Sequence, residues 1–269
     1  MIVDIRPDPA ARDFDGSIDV LLEAGLAGLI GDHVDDPVGT STPDVVRSVV
    51  DRGLPVVATV ACRNRSVGQC RQSVERLIDA GATGILCVTG DHPAARFGPN
   101  ASATFALDST RLSSVARSVG AYVVVAESPS SPPRHGRARR TLEKQRAGAD
   151  LVILNHCGGV ADLERFAIDL EDEGTTMPIA APVPVVSDLP SLRALTAFPG
   201  LELAPELIRD FCAASDPGTA GIESAISLGR RLRRSGRFAH LNLSGRATKR
   251  GHLERCRIMA RVAEGIRQS

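Results

Sequence analysis

Apolar positions along this chain fall into two alternating textures. Short solid runs, at residues 2–5, 27–30, 54–61, 85–88, 121–126, 150–154, 178–182 and 238–243, are bounded by Gly, Pro or charged residues. Runs of that length without polar alternation are what strands buried on both faces of a parallel sheet look like. Between them apolar residues recur every three or four positions, as in Cys70, Val74, Leu77 and Ile78 before Gly81, or Leu112, Val115 and Val119 behind a cap at Asp108 or Ser109. This predicts helices at 17–24, 42–50, from Ser66 to Gly81, after 108, and at 141–146, 160–173, 187–197 and 248–267. An extra helical pair, 205–213 and 219–234, precedes the last strand.

Eight strand–helix units with short connections predict one (β/α)8 TIM barrel over residues 1–269, with the extra pair inserted before strand eight. The Ser- and Pro-rich stretch 127–140 mimics a linker, but the alternation continues unchanged beyond it. An open doubly wound sheet is the alternative; no Gly-x-Gly-x-x-Gly follows an early strand to support it.

Composition removes several functional classes. Of 269 residues 43% are hydrophobic, yet no run approaches the length of a membrane span, and the first residues lack the basic lead-in of a signal peptide. A cytoplasmic globular protein without membrane partners is expected. With 32 basic against 32 acidic residues, no Trp and one Tyr, neither bulk attraction to nucleic acid nor a base-stacking platform is present. Six cysteines without a Cys-x-x-Cys pair give no zinc-finger or disulfide signature.

In a barrel all strand exits face one bowl, so the chemistry should gather there. The exits carry Asp4, Asp32-His33, Thr59 to Arg63, Thr89-Gly90-Asp91-His92, Ala126-Glu127, Asn155-His156-Cys157, residues 183–187 and 243–246. Asp4 sits among apolar neighbours, where desolvation raises a carboxyl toward the range of a general acid. Asp4 and Asp91 are expected to face one cup. His33, His92 and His156 with Asp32 and Asp91 leave open a metal-assisted hydrolase, although none shows His-x-x-x-His spacing. The basic run 134–146 reads equally as a solvated loop or as a grip for phosphates or carboxylates.

The segments Ala58-Thr-Val-Ala-Cys-Arg-Asn-Arg65, Gly84-Ile-Leu-Cys-Val-Thr-Gly-Asp-His-Pro93, Phe105-Ala-Leu-Asp-Ser109, Lys144-Gln-Arg-Ala-Gly-Ala-Asp150, Pro184-Val-Val-Ser187 and Leu243-Ser-Gly-Arg246 resemble, in order and spacing, the methylenetetrahydrofolate reductase family. The resemblance implies reduction of 5,10-methylenetetrahydrofolate to the 5-methyl form, with FAD relaying hydride from NAD(P)H. By position it makes Asp4 the general acid and Asp91, Asn155, Arg246 and Leu189 substrate contacts. Thr59, Thr89, Asp91, Ala126 and Lys144 would face the cofactor. Asp4 stands for a Glu and Asn155 for a Gln, each one methylene shorter. Thr59 stands for a His, Gly31-Asp32 for a Thr-Tyr pair, Ala126 for a Tyr and Leu189 for an aromatic, so the flavin side departs most. A redox-inactive folate-binding or tetrahydrofolate-dependent methyl-transfer protein is the alternative within this resemblance, and a homo-oligomer or partner subunit is compatible with it.

Overall fold

A computed structural model describes residues 1–32, 41–92, 94, 98, 100–198, 200–245 and 251–268. Strands β1 (Ile2–Ile5), β2 (Ala27–Ile30), β3 (Val56–Ala61), β4 (Gly84–Val88), β5 (Val123–Glu127), β6 (Leu151–Leu154), β8 (Ile179–Pro184) and β10 (His240–Ser244) close a parallel barrel in which β1 pairs with both β2 and β10. The barrel predicted from sequence is therefore the fold. Two further two-residue strands, β7 (Cys157–Gly158) and β9 (Glu202–Leu203), pair with each other outside it.

Helices α1 (Phe14–Glu23), α2 (Thr42–Val50), α3 (Val67–Asp79), α4 (Ser109–Ser118), α5 (Arg137–Arg146), α6 (Val160–Asp172) and α7 (Leu189–Thr196) follow successive strands. The inserted pair is α8 (Pro205–Ala213) and α9 (Pro217–Arg234), and α10 (His252–Arg267) closes the chain. Local chemistry sets their starts. Ser66 and Gln69 form a reciprocal capping box on α3, Asp108 accepts from the Arg111 N–H at 2.8 Å on α4, and Ser41 caps α2 ahead of Pro43. Helix α1 starts three residues before the expected Ser17, whose hydroxyl instead donates to the Asp13 carbonyl at 2.7 Å from inside the helix.

Strand parity divides the core in two. Ile2, Val57, Leu86, Val124, Leu151, Ile153 and Ala180 point inward and plug the barrel, with Leu29, Val88 and Ala126 against them. Their outward neighbours, among them Val3, Ile30, Ala58, Ile85, Val125, Val152 and Leu243, pack under the helices. An inward residue two positions beyond the plug must then stand one layer higher, at the barrel mouth. For β1, β3 and β6 those residues are Asp4, Thr59 and Asn155.

Candidate active site

A cavity of about 580 Å³ opens at this mouth, within the size range of small-molecule sites. Its polar floor is Asp4, Thr59, Asn155, His156, Asn242, Ser244 and Arg255, and its apolar wall is formed by Leu29, Leu195, Phe198 and Leu201. Asn242 pairs in register with Ile2, so Asn242 and Ser244 flank Asp4 from the neighbouring strand. Arg255, in the first turn of α10, lines the same cavity and donates to the Asp4 carbonyl.

Asp4 lies partly open to the cavity but is enclosed by protein, and its Oδ1 has no hydrogen-bond partner. Burial raises its carboxyl to about 6, against the Arg255 charge and the Asn242 side chain, which both favour ionisation. A carboxylic acid titrating there can hold a proton and release it near neutrality. His156 is its opposite. Burial lowers the imidazole to about 4, so it is neutral, and its Nε2 shares a 2.5 Å hydrogen bond with Ser244 Oγ. Asn155 donates from Nδ2 to Ser128 Oγ at 2.6 Å, which fixes its amide at the rim.

Other candidate residues are placed elsewhere. Asp91 is exposed and does not line the cavity: Gly90, at φ +89°, turns the chain outward after β4, and Arg63 holds the Asp91 carbonyl at 2.9 Å. Asp4 and Asp91 are thus not brought together. Thr89 spends its hydroxyl accepting from the Ser109 N–H at 3.0 Å at the start of α4. Asp32 is tied to both terminal nitrogens of Arg65 and accepts from the Ala61 N–H. Leu189 is exposed on the first turn of α7, outside the cavity lining. His92 is exposed beside Phe105. Arg246 and His33 lie outside the described residues, and among the described residues no group of three His, Cys, Asp or Glu side chains is disposed to hold a metal ion.

Lys144 is buried, with its ammonium donating to Glu127 Oε2 at 2.8 Å and to the Ala126 carbonyl at 2.6 Å. Burial pulls it below the ordinary lysine range, and Glu127 opposes that pull. Arg137, at 3.3 Å, is the second cation on Glu127. As a set, the described residues do not fit the FAD that the resemblance implies. Lys144 is consumed by Glu127, Ala126 offers a methyl to the barrel interior, and Thr89 and Asp91 face away from the cavity.

Sequence reasoning passed over Asn242, Arg255, Leu195, Phe198 and Leu201. Asn242 carried a legible signal, as the one amide inside the apolar run 238–243. Arg255 carried none, because its place is made by a hydrogen bond to a strand residue 251 positions away.

A family model described as methylenetetrahydrofolate reductase matches residues 31–248. No curated protein matches in sequence. Among solved structures, an uncharacterized protein from Clostridium thermocellum that binds two copies of 5-methyl-5,6,7,8-tetrahydrofolic acid superposes with a TM-score of 0.66 at 12% identity, covering 98% of this chain and 93% of that one. Phosphonopyruvate hydrolase with oxalate and Mg²⁺ follows at 0.49 and 14%, covering 87% and 82%. Thiamine phosphate pyrophosphorylase from Pyrococcus furiosus follows at 0.49 and 11%, covering 98% and 95%. At 12% identity the likeness to the Clostridium thermocellum protein speaks to the barrel alone. The family match, which spans most of the chain and includes six of its eight barrel strands in full, carries the assignment: the chain belongs to the methylenetetrahydrofolate reductase family.

Proposed function

We propose that the mouth cavity binds a reduced folate and that Asp4 serves as the proton donor in converting 5,10-methylenetetrahydrofolate to the 5-methyl form. The observation that carries this reading is an inward carboxyl, raised to about 6 and the only one among the described lining residues, on the floor of a cavity of ligand size. Opening the methylene bridge requires a proton on the departing ring nitrogen, and an acid of this strength supplies it at little energetic cost near pH 6–7. Hydride must then reach the exposed methylene carbon. Reduced nicotinamide, NAD(P)H, is the donor consistent with a site whose described residues do not make a flavin cradle. The Phe198, Leu195 and Leu201 wall gives an apolar face for the pteridine or aminobenzoyl ring, and Asn155 a fixed amide at the rim. The Clostridium thermocellum neighbour, which binds 5-methyltetrahydrofolic acid on a similar barrel, supports the ligand class.

A second reading keeps the folate and omits the redox step, as a folate-binding or methyl-transfer protein. The pairing of Lys144 with Glu127 at 2.8 Å favours it, because that lysine is unavailable to a redox cofactor. Calorimetric titration with 5-methyltetrahydrofolate, followed by single-turnover mixing of 5,10-methylenetetrahydrofolate with NADH or NADPH, decides the matter. Oxidation of the nicotinamide supports the reductase. Folate binding without it selects the second reading, and absence of folate binding removes both.

A further inference from the structure

The cavity floor contains a second unsatisfied oxygen whose position is informative. Asn242 is 6% exposed, lines the cavity, and its Oδ1 is buried with no hydrogen-bond partner. A buried amide oxygen left in that state costs free energy unless a bound molecule supplies a donor. The other oxygen in that state on the same floor is Asp4 Oδ1. The Asn242 side chain acts on Asp4 in the sense of a hydrogen-bond donor, favouring the ionised carboxyl. Of the two ends of an amide the N–H₂ is the one that favours a carboxylate, and Oδ1 is the end left without a partner. Strand register enforces this arrangement, since the Asn242 Cα is the lateral partner of Ile2 and the Asp4 side chain rises one inward step above it.

We infer that Asn242 is the positioning and specificity residue of this site: its amide N–H₂ orients the Asp4 carboxyl while its Oδ1 accepts a hydrogen bond from a ring or exocyclic N–H of the bound pteridine. The inference rests on the folate reading and narrows it. An Oδ1 acceptor beside a protonated carboxyl asks for a heterocycle that offers an N–H next to a nitrogen or oxygen with a lone pair, the pattern on a reduced pterin edge. Among the described residues, the other charged and titratable groups lining the cavity around Asp4 are Arg255 from α10, Arg6 from the exit of its own strand, and His156 from the β6 exit, which is neutral above about pH 4. Above that pH, Asp4 is the member of this set that titrates near neutrality.

The test is titration with 5-methyltetrahydrofolate between pH 5 and 8 on the wild type, Asn242→Leu and Asn242→Asp, with circular dichroism to confirm folding. Wild-type binding should follow a midpoint near the Asp4 value of about 6. Asn242→Leu should weaken binding about tenfold through the lost acceptor, and should move the midpoint upward because Asp4 loses a donor to its ionised form. Asn242→Asp should move it further up, since a second carboxylate disfavours ionisation of the first. Should Asn242→Leu fail to fold, Asn242→Asp and Asn242→Ser carry the same comparison. Wild-type affinity and midpoint in the folded variants would overturn the role of Asn242 while leaving folate binding intact. A wild type that binds no folate would instead remove the reading beneath it.

Discussion

Asp4 makes a quantitative link between the proposed chemistry and the stability of the fold. An aspartate starts near 3.8 and is raised to about 6 in the folded chain. Below pH 3.8 the group is protonated in both states and contributes no difference. Between 3.8 and 6 the folded chain binds more protons than the unfolded one, so stability falls as pH rises through that window. Above 6 the loss is complete, and a shift of about two units corresponds to about 3 kcal/mol. That value is already net of the favourable Arg255 charge, which reaches the same carboxyl. Asp4→Asn imitates the protonated form and removes the titration. The variant should therefore match the wild type near pH 3.5 and exceed it by up to about 3 kcal/mol at pH 7.5, equivalent to a Tm gain of about 6–12 °C for a chain of this size. Urea or thermal melts of both proteins at the two pH values measure the difference, and turnover of 5,10-methylenetetrahydrofolate should be lost in the same variant. A gain of the same size at both pH values, or a loss at pH 7.5, would refute the argument that burial of this carboxyl sets its acidity.

Lys144→Ala should destabilise the fold by about 3–5 kcal/mol in urea melts, because it leaves Glu127, whose side chain is 2% exposed, with the more distant Arg137 as its cation beside the Ser128 N–H and the Thr141 hydroxyl; an unchanged melt would return Lys144 to the pool of ligand contacts. Phe198→Ala should weaken 5-methyltetrahydrofolate binding about tenfold while leaving the Tm nearly unmoved, since its ring is 40% exposed and faces the cavity rather than the core. An equal loss of affinity and stability there would assign Phe198 to packing.

Much of the barrel is legible because solid apolar runs leave few alternatives to buried parallel strands. Residues 2–5 and 27–30 carry their boundaries on their face, with Pro7 and Gly31 close behind. Strand β8 runs on to Pro184 instead of stopping at 182 because Val183 and Pro184 pair with Leu243 and Ser244, a partnership no local pattern encodes. Likewise β5 takes in Glu127, which pairs with Leu154 and is neutralised by Lys144; read alone, a glutamate there looks like the first residue of a loop. The β7–β9 bridge was missed because two residues carry no periodicity. For the site, parity did the work that motif order did not. Asp4, Thr59 and Asn155 converge because each is an even step from an inward plug residue, whereas Asp91 shares a motif with that group and is swung away by the Gly90 turn.

The β7–β9 bridge also bears on how the cavity discriminates. Cys157 and Gly158 pair with Glu202 and Leu203, and the Glu202 N–H donates to the His156 carbonyl at 2.9 Å. The segment carrying Phe198 and Leu201 is thereby riveted to the strand exit that carries Asn155 and His156. Greasy wall and wet floor are consequently one casting: a guest meets a contour already cut, loses little to arranging it, and is rejected by misfit instead of being accommodated.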